Sequence, residues 1–340
     1  MAIAGAALIA LAALVAAPQP GTLRTFHDWT AGCDNALSCQ ANALIADEAN
    51  DDPLMLVIRR TGAPLAMASL DIPLPHHTAP GTRLELIVDG AIAARFAAQP
   101  RAQASLPLTG ALLSALVAGH RIALRQPGGS RIATASLAGL AAALRYIDDR
   151  QHRAGTHGAL VANGPNPDST VPLPPHAEPV VIPPASTRPP RTISAAQAAA
   201  LLDPEAAVCR NPDGPLRPQA HRLDAAHSLV LVNHPCGNGA YNAAFTAFVL
   251  DETGPPRAAL IEGTPGTGDD DAGPELTNAH WDEPTRTLDS FDKARGPGDC
   301  GLKARYAWDG RRFALIALLA MDECRGSVDY IRIWTVPVHG

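Results

Sequence analysis

Apolar positions along this chain come in short bursts broken by Gly, Pro and Asp, seldom at the spacing of a long helix. Residues 54–60 and 65–70 read as strands rich in apolar positions. Residues 83–88 alternate in part, Asp89-Gly90 follows, and a second apolar run occupies 91–96. Asp-Gly between two such runs predicts a hairpin, because its residues accept the positive φ of a tight turn. Thr109 stands where an N-cap belongs, ahead of a short helix at 110–118. Leu112, Leu113, Leu116 and Val117 share one face of it, and Gly119 follows its end. A second hairpin, 121–125 with 131–136, turns through Pro127-Gly128-Gly129, and 137–146 reads as a closing helix.

Downstream, Ser194 caps a helix running to Leu202, with Pro204 just beyond. Strand-like runs then follow at 228–232, 243–250, 258–262, 287–291, 303–308, 313–319 and 330–336, with Asp309-Gly310 turning between two of them. Between the halves, residues 164–190 carry ten prolines. Proline lacks a backbone donor and fixes φ, so this stretch reads as an extended, semi-rigid spacer. The pattern predicts a mainly β protein. Two β-sandwich or meander-like domains with a few short helices, at 22–150 and 194–340, are joined by a Pro-rich linker over 151–193.

Composition adds compartment and exclusions. The 340 residues fit about two domains. Residues 2–17 form an unbroken apolar run, short of the roughly 20 residues of a membrane span. It reads as a secretory signal with Val15-Ala16-Ala17 as the cleavage site, or, if uncleaved, as an apolar anchor and the chain's one route to a membrane. No Lys or Arg precedes it, and Pro18 follows the cleavage position. Net charge is −6 with no basic run, so a nucleic-acid partner is disfavoured. Residues 195–340 hold 13 basic and 20 acidic side chains, against 11 of each over 22–150. Arg outnumbers Lys 25 to 2, which beside the abundant Ala and Pro reads as genome composition.

The cysteines group as Cys33 with Cys39, Cys209 with Cys236, and Cys300 with Cys324. An even count in an exported chain predicts three disulfides, with neighbour pairing expected although other connectivities stay open. No Cys-x-x-Cys suggests zinc or redox chemistry. His76-His77 lies in a Pro-flanked loop and His234 two residues before Cys236, both read as ordinary histidines. Ser290-Phe291-Asp292-Lys293 matches Ser-x-x-Lys but sits in a strand and lacks a Lys-Thr-Gly partner. Asp269-Asp270-Asp271 lacks the alternating ligands of a calcium loop. No cofactor motif is present, and no cofactor or metal is expected.

Asp28-Trp29-Thr30-Ala31-Gly32-Cys33-Asp34 with Cys39-Gln40 opens a set of signatures. The others are Cys236-Gly237-Asn238-Gly239-Ala240-Tyr241-Asn242, Arg295-Gly296-Pro297-Gly298-Asp299-Cys300-Gly301, Tyr306-Ala307-Trp308-Asp309-Gly310 and Glu323-Cys324-Arg325-Gly326. Together they resemble an uncharacterised bacterial six-cysteine exported family of about this length, a domain of unknown function. That resemblance implies fold and location but no activity. The stretch 22–150, ending in Ser136-Leu137-Ala138-Gly139-Leu140, also resembles the invasion-associated locus B family. This second likeness implies an envelope-associated β-domain.

If a binding site exists, the loops beside the later cysteines are where exposed aromatics and rigid turns would form it. Their candidate residues are Tyr241, Asn242, Trp281, Asp299 and Trp308. The expected function is a periplasmic or cell-envelope binding or interaction protein, non-enzymatic, whose partner is an envelope protein or a small ligand. One alternative is an envelope hydrolase with its site in the C-terminal domain, built on Asp299 and a His. Another is a cation or small-molecule sensor using the acidic half. For the cysteines, thiol titration of denatured protein from the envelope is expected to find no free thiol. Peptide mapping without reductant should return the three neighbour pairs, and free thiols at any two positions contradict this.

Overall fold

The structure, a computed structural model, describes residues 19–46, 52–75, 78–100, 103–129, 131–202, 216–235, 238–265, 273 and 275–340. The first half runs β1 (Arg24–Phe26), β2 (Trp29–Cys33), β3 (Cys39–Ala43), β4 (Val57–Arg60), β5 (Ser69–Pro73), β6 (Arg83–Val88), β7 (Ala91–Ala97), β8 (Gln103–Pro107), α1 (Gly110–Ala118), β9 (Arg121–Arg125), β10 (Arg131–Ser136) and α2 (Leu140–Arg150). One antiparallel sheet has the order β1-β2-β3-β4-β5-β8, a second the order β10-β9-β6-β7. Inward-facing Trp29, Ile58 and Leu70 of the first meet Leu84, Leu86 and Ile122 of the second in one core, closed by Leu144 and Ile147 of α2. Trp29 is fully buried, and its indole N–H donates to the Ser136 carbonyl at 3.0 Å. The Asp89-Gly90 hairpin forms as its sequence predicts, with Val88 paired to Ala91 and Asp89 at positive φ.

Two elements differ from their sequence pattern. The run at 65–70 becomes a strand only from Ser69. Carbonyls a ladder would use are taken by guanidinium groups: Arg153 donates to Ala63 (2.5 Å) and Pro64 (2.6 Å), and Arg60 to Ala66 (3.0 Å). The closing helix starts at Leu140, because Gly139 takes a left-handed φ of 93° and Ala138 accepts the Asp28 N–H. Strands β1 to β3 and β8 carry too little apolar alternation to stand out in the sequence.

The chain after Arg150 does not leave the first half at once, although the linker was expected from 151. The buried Asp148 carboxylate accepts the N–H groups of Leu160 (2.7 Å), Val161 (2.8 Å) and Ala162 (3.0 Å). Arg153 is fully buried beside it. Farther on, β11 (Val180–Val181) pairs in parallel with β22 (Val338–His339), and arginines hold the proline-rich stretch. Arg286 donates to Pro183 (2.9 Å) and Leu223 (2.5 Å), while Arg222 donates to Pro189 and Arg188. Proline cannot donate, but its carbonyl accepts, and the guanidinium fork reaches two carbonyls at once.

The second half contains α3 (Ala195–Leu201), β12 (Gln219–Arg222), β13 (His227–Asn233), β14 (Ala244–Asp251), β15 (Arg257–Ala258), β16 (Glu275–Thr277), β17 (His280–Asp282), β18 (Thr287–Lys293), β19 (Gly301–Trp308), β20 (Phe313–Met321) and β21 (Ile331–Thr335). A sheet of order β12-β13-β14-β15, with β16 also on β14, packs on an antiparallel meander from β17 to β21. Leu229, Leu231 and Val249 face the meander, whereas Val230, Val232 and Phe248 face α3. Burial on both faces explains why 228–232 and 245–250 read as continuous apolar runs. Ser194 caps α3 as expected, accepting the Gln197 N–H while the Gln197 carboxamide accepts its own.

Replacing Arg153 by Lys keeps the charge but removes the fork that ties Ala63 and Pro64 to Gln151. Denaturant unfolding is expected to show a loss of about 2–4 kcal/mol. A change below about 0.5 kcal/mol would mean the guanidinium geometry is immaterial.

Candidate functional site

The two halves meet along β21, which packs against β2 and β3. Close approach needs a glycine at 32, where a Cβ would stand 2.5 Å from Leu23 Cδ2 and 3.1 Å from Ile331 Cγ2. Asn35 and Thr335 pair reciprocally, side-chain amide to backbone, at 2.9 and 2.7 Å. Ile45 and Arg325 do the same, the Ile45 N–H reaching the Arg325 carbonyl and Arg325 Nε the Ile45 carbonyl, both at 2.9 Å. Arg325 also donates to the His27 carbonyl (2.8 Å) and to Asp28 (2.6 Å). Asp329 accepts from Arg59 at 2.7 Å, and its carbonyl accepts from Gln40 (3.2 Å) and Asn42. Leu44, Met321, Tyr330 and Ile331 form a small apolar plug beneath.

The loop that makes these contacts is pinned from within. The Cys300–Cys324 disulfide joins the start of β19 to the chain just past β20. Buried Asp299 accepts from Arg295 at 2.8 and 2.5 Å and from the Gly326 N–H at 2.7 Å. The Arg295 hydrogen bonds, with that of Gly326, outweigh burial and hold the Asp299 carboxyl down at about 2. Lys303 lays its ammonium 4.0 Å above the Tyr330 ring and 4.6 Å above Phe291, and those rings meet edge to face.

Beside this junction lies a cleft of about 410 Å³, with Asp34, Arg59, Arg60, Asp329, Tyr330 and Arg332 in its wall. Its electrostatics are unusual. Burial raises the Asp34 carboxyl against the pull of the Ser38 and Ala36 N–H groups. Burial, followed by the charges of Asp299 and Asp292, pushes the Tyr330 hydroxyl up to about 12. Arg60 lies buried at the cleft wall, and burial followed by the Arg153 charge lowers it to about 10. Arg60 Nε and Nη2 are satisfied by the Ala66 and Gly158 carbonyls, but buried Nη1 has no hydrogen-bond partner. Its ion-pair partner, Asp148 Oδ1, stands 3.8 Å away. Arg332 is exposed, with Asp34 as its electrostatic neighbour. A second cavity of about 360 Å³ shares Arg60 and Met67 with the first.

Of the residues singled out from sequence, Tyr241, Asn242 and Asp299 bond to the 292–295 stretch, and the two tryptophans do not join them. Trp281 (3% exposed) and Trp308 (2%) are core side chains of the meander, not surface aromatics. Trp308 donates to Asp224 at 2.7 Å. Tyr241 is exposed, with its hydroxyl on the Ala294 carbonyl at 3.2 Å. Asn242 ties Lys293, Asp292 and Asn278 together. Asp299 faces Arg295 and Gly326, and among the described residues no histidine hydrogen-bonds to it. His234 is buried against Thr246 at 2.6 Å. Cys33 is bonded to Cys39 at the β2–β3 turn. Cys209, Cys236, His76-His77 and Asp269-Asp270-Asp271 lie outside the described residues. Among the described residues no group of three or more His, Cys, Asp or Glu side chains is placed to hold a metal ion, and no helix is long and apolar enough to cross a membrane. The cleft residues escaped the sequence reading. The adjacent pair Arg59-Arg60 on a strand was the available sign, since neighbours on a strand face opposite ways.

A family model described as "Protein of unknown function (DUF1176)" matches residues 23–337. "Uncharacterized protein YpfG" of Escherichia coli (strain K12) is 28% identical over 317 residues, covering 88% of each chain. Among solved structures, that of invasion associated protein b from Bartonella henselae aligns over 38% of this chain and 99% of its own, at 16% identity and a TM-score of 0.31. So low a score carries no weight for fold or function.

The depressed Asp299 carboxyl sets an acid limit. With an ordinary value of 3.8 and a folded value of about 2, its contribution is complete above about pH 4 and lost as pH falls toward 2. Asp299→Asn is expected to cost about 2 kcal/mol at neutral pH and to flatten the stability profile between pH 4 and 2. An unchanged acid limb in that variant would remove Asp299 from the clasp.

Proposed function

Because the chain belongs to the DUF1176 family of proteins of unknown function, it inherits no activity, and we propose from its own geometry that it is a non-enzymatic, exported cell-envelope binding protein that holds a small anion between its halves. The observation that carries this is the cleft wall, which brings exposed Arg332 beside Arg60, whose buried Nη1 makes an ion pair with Asp148 at 3.8 Å but no hydrogen bond. A buried donor without a hydrogen bond costs about 1–3 kcal/mol, which an anionic acceptor reaching it would remove. Arg332 adds an exposed cation at the mouth, and Arg59 stands beside it already paired with Asp71 and Asp329. Ser38, Thr61 and Ser69 supply neutral donors around them. Export is supported by the apolar run at 2–17 and by disulfides Cys33–Cys39 and Cys300–Cys324, which form in oxidising compartments.

The hydrolase reading loses its residues, since Asp299 is a structural acid paired to Arg295. The cation-sensor reading is disfavoured by the guanidinium groups at this cleft.

The test is a thermal-shift titration with phosphate, sulfate, acetate and butanoate at constant ionic strength. At least one anion is expected to raise the midpoint by a few degrees once present at about 100 times its Kd. Arg332→Ala should weaken that response about tenfold. A response equal in wild type and Arg332→Ala, or none to any anion, would overturn the proposal.

A further inference from the structure

The second cavity and the surface beside it add a ligand chemistry to the anion cleft. Leu65 is 79% exposed and Met67 66% exposed, which is unusual for two large apolar side chains on one short loop. The loop is not a loose tip. The carbonyls of Ala63, Pro64 and Ala66 are fixed by Arg153 and Arg60, so the fold holds this apolar ridge in place. Met67 lines both cavities and Leu65 the second, where Ala68, Leu108 and Leu113 continue the apolar wall. Arg60 lines both as well, its Nη1 in an ion pair with Asp148 at 3.8 Å but without a hydrogen bond. The carboxylate in the second cavity, Asp168, is engaged by the Gly158 N–H at 2.7 Å. Charge sits at one end of this joint surface and apolar area at the other.

Resting on the anion-cleft reading, we propose that the ligand is a monomeric single-chain amphiphile with a carboxylate head, of the fatty-acid class. Its carboxylate takes the Arg60 and Arg332 end, and its chain lies over Met67 and Leu65 into the second cavity. Three guanidinium groups, Arg59, Arg60 and Arg332, against the carboxylates of Asp34 and Asp329 leave the cleft lining net positive, which selects the anionic head. The fixed exposed ridge selects an alkyl tail over a purely polar anion, because only apolar contact removes Leu65 and Met67 from water. A lipid bilayer is the competing occupant, and the test separates it.

Calorimetric titration with butanoate, hexanoate, octanoate and decanoate, all below their micelle concentrations, measures affinity against chain length. Each added methylene that is buried should tighten binding by roughly threefold to fourfold. Leu65→Ser/Met67→Ser alters two exposed side chains and should flatten that series. A flat wild-type series with butanoate still bound overturns the amphiphile inference and leaves the anion site standing. No binding by any carboxylate or by phosphate overturns both. A rise with chain length that survives in the double variant places the tail elsewhere and overturns this inference. So does binding to phosphatidylglycerol vesicles without binding to decanoate.

Discussion

Arg325 reaches from the second half of the chain to the carbonyls of Ile45 and His27 and to the Asp28 carboxylate. The cleft exists because that contact and its neighbours hold two β-rich halves against each other. Hydrogen bonds from a charged donor are worth about 1.5–3 kcal/mol each when partly buried. The Arg59–Asp329 and Asn35–Thr335 contacts add to them across the same seam. None of this survives if the loop carrying Arg325 and Asp329 is free to wander. The Cys300–Cys324 bond and the Asp299–Arg295 pair keep it from wandering, each acting within the second half to orient groups that act on the first.

Five of the arginines share one structural device. Arg60, Arg153, Arg222, Arg286 and Arg325 each donate to two main-chain carbonyls. In a chain with 32 prolines, long stretches cannot satisfy themselves by ladder pairing. A guanidinium fork supplies the missing donors from elsewhere in the fold, and an ammonium cannot span two carbonyls with the same geometry. Lys303 serves differently, its compact charge sitting over both Tyr330 and Phe291.

The mainly β architecture was legible because hairpins such as 83–88 with 91–97 advertise themselves through turn chemistry and apolar runs. Legible too were the Ser194 cap, from its residue type ahead of a helical run, and the pairings of Cys33 with Cys39 and Cys300 with Cys324, from their spacing. The cleft was not legible. Arg59 and Arg332 lie 273 positions apart in sequence, the difference of their numbers, and no local pattern reports that a sheet edge will bring them together. The tryptophans misled for a related reason. Trp281 and Trp308 stand beside turn signals, yet large aromatics bury so much apolar area that the core claims them first. Leu65 and Met67 carried the opposite error, reading as strand interior when guanidinium groups hold their loop at the surface.

The clasp around Arg325 and Asp329 makes one cooperative body of the two halves, with the cleft as its product. Scanning calorimetry of the full chain tests it directly. One transition, with calorimetric and van't Hoff enthalpies equal, is the predicted result. Two resolved transitions, or a van't Hoff enthalpy near half the calorimetric one, would show that the halves unfold independently and contradict the account.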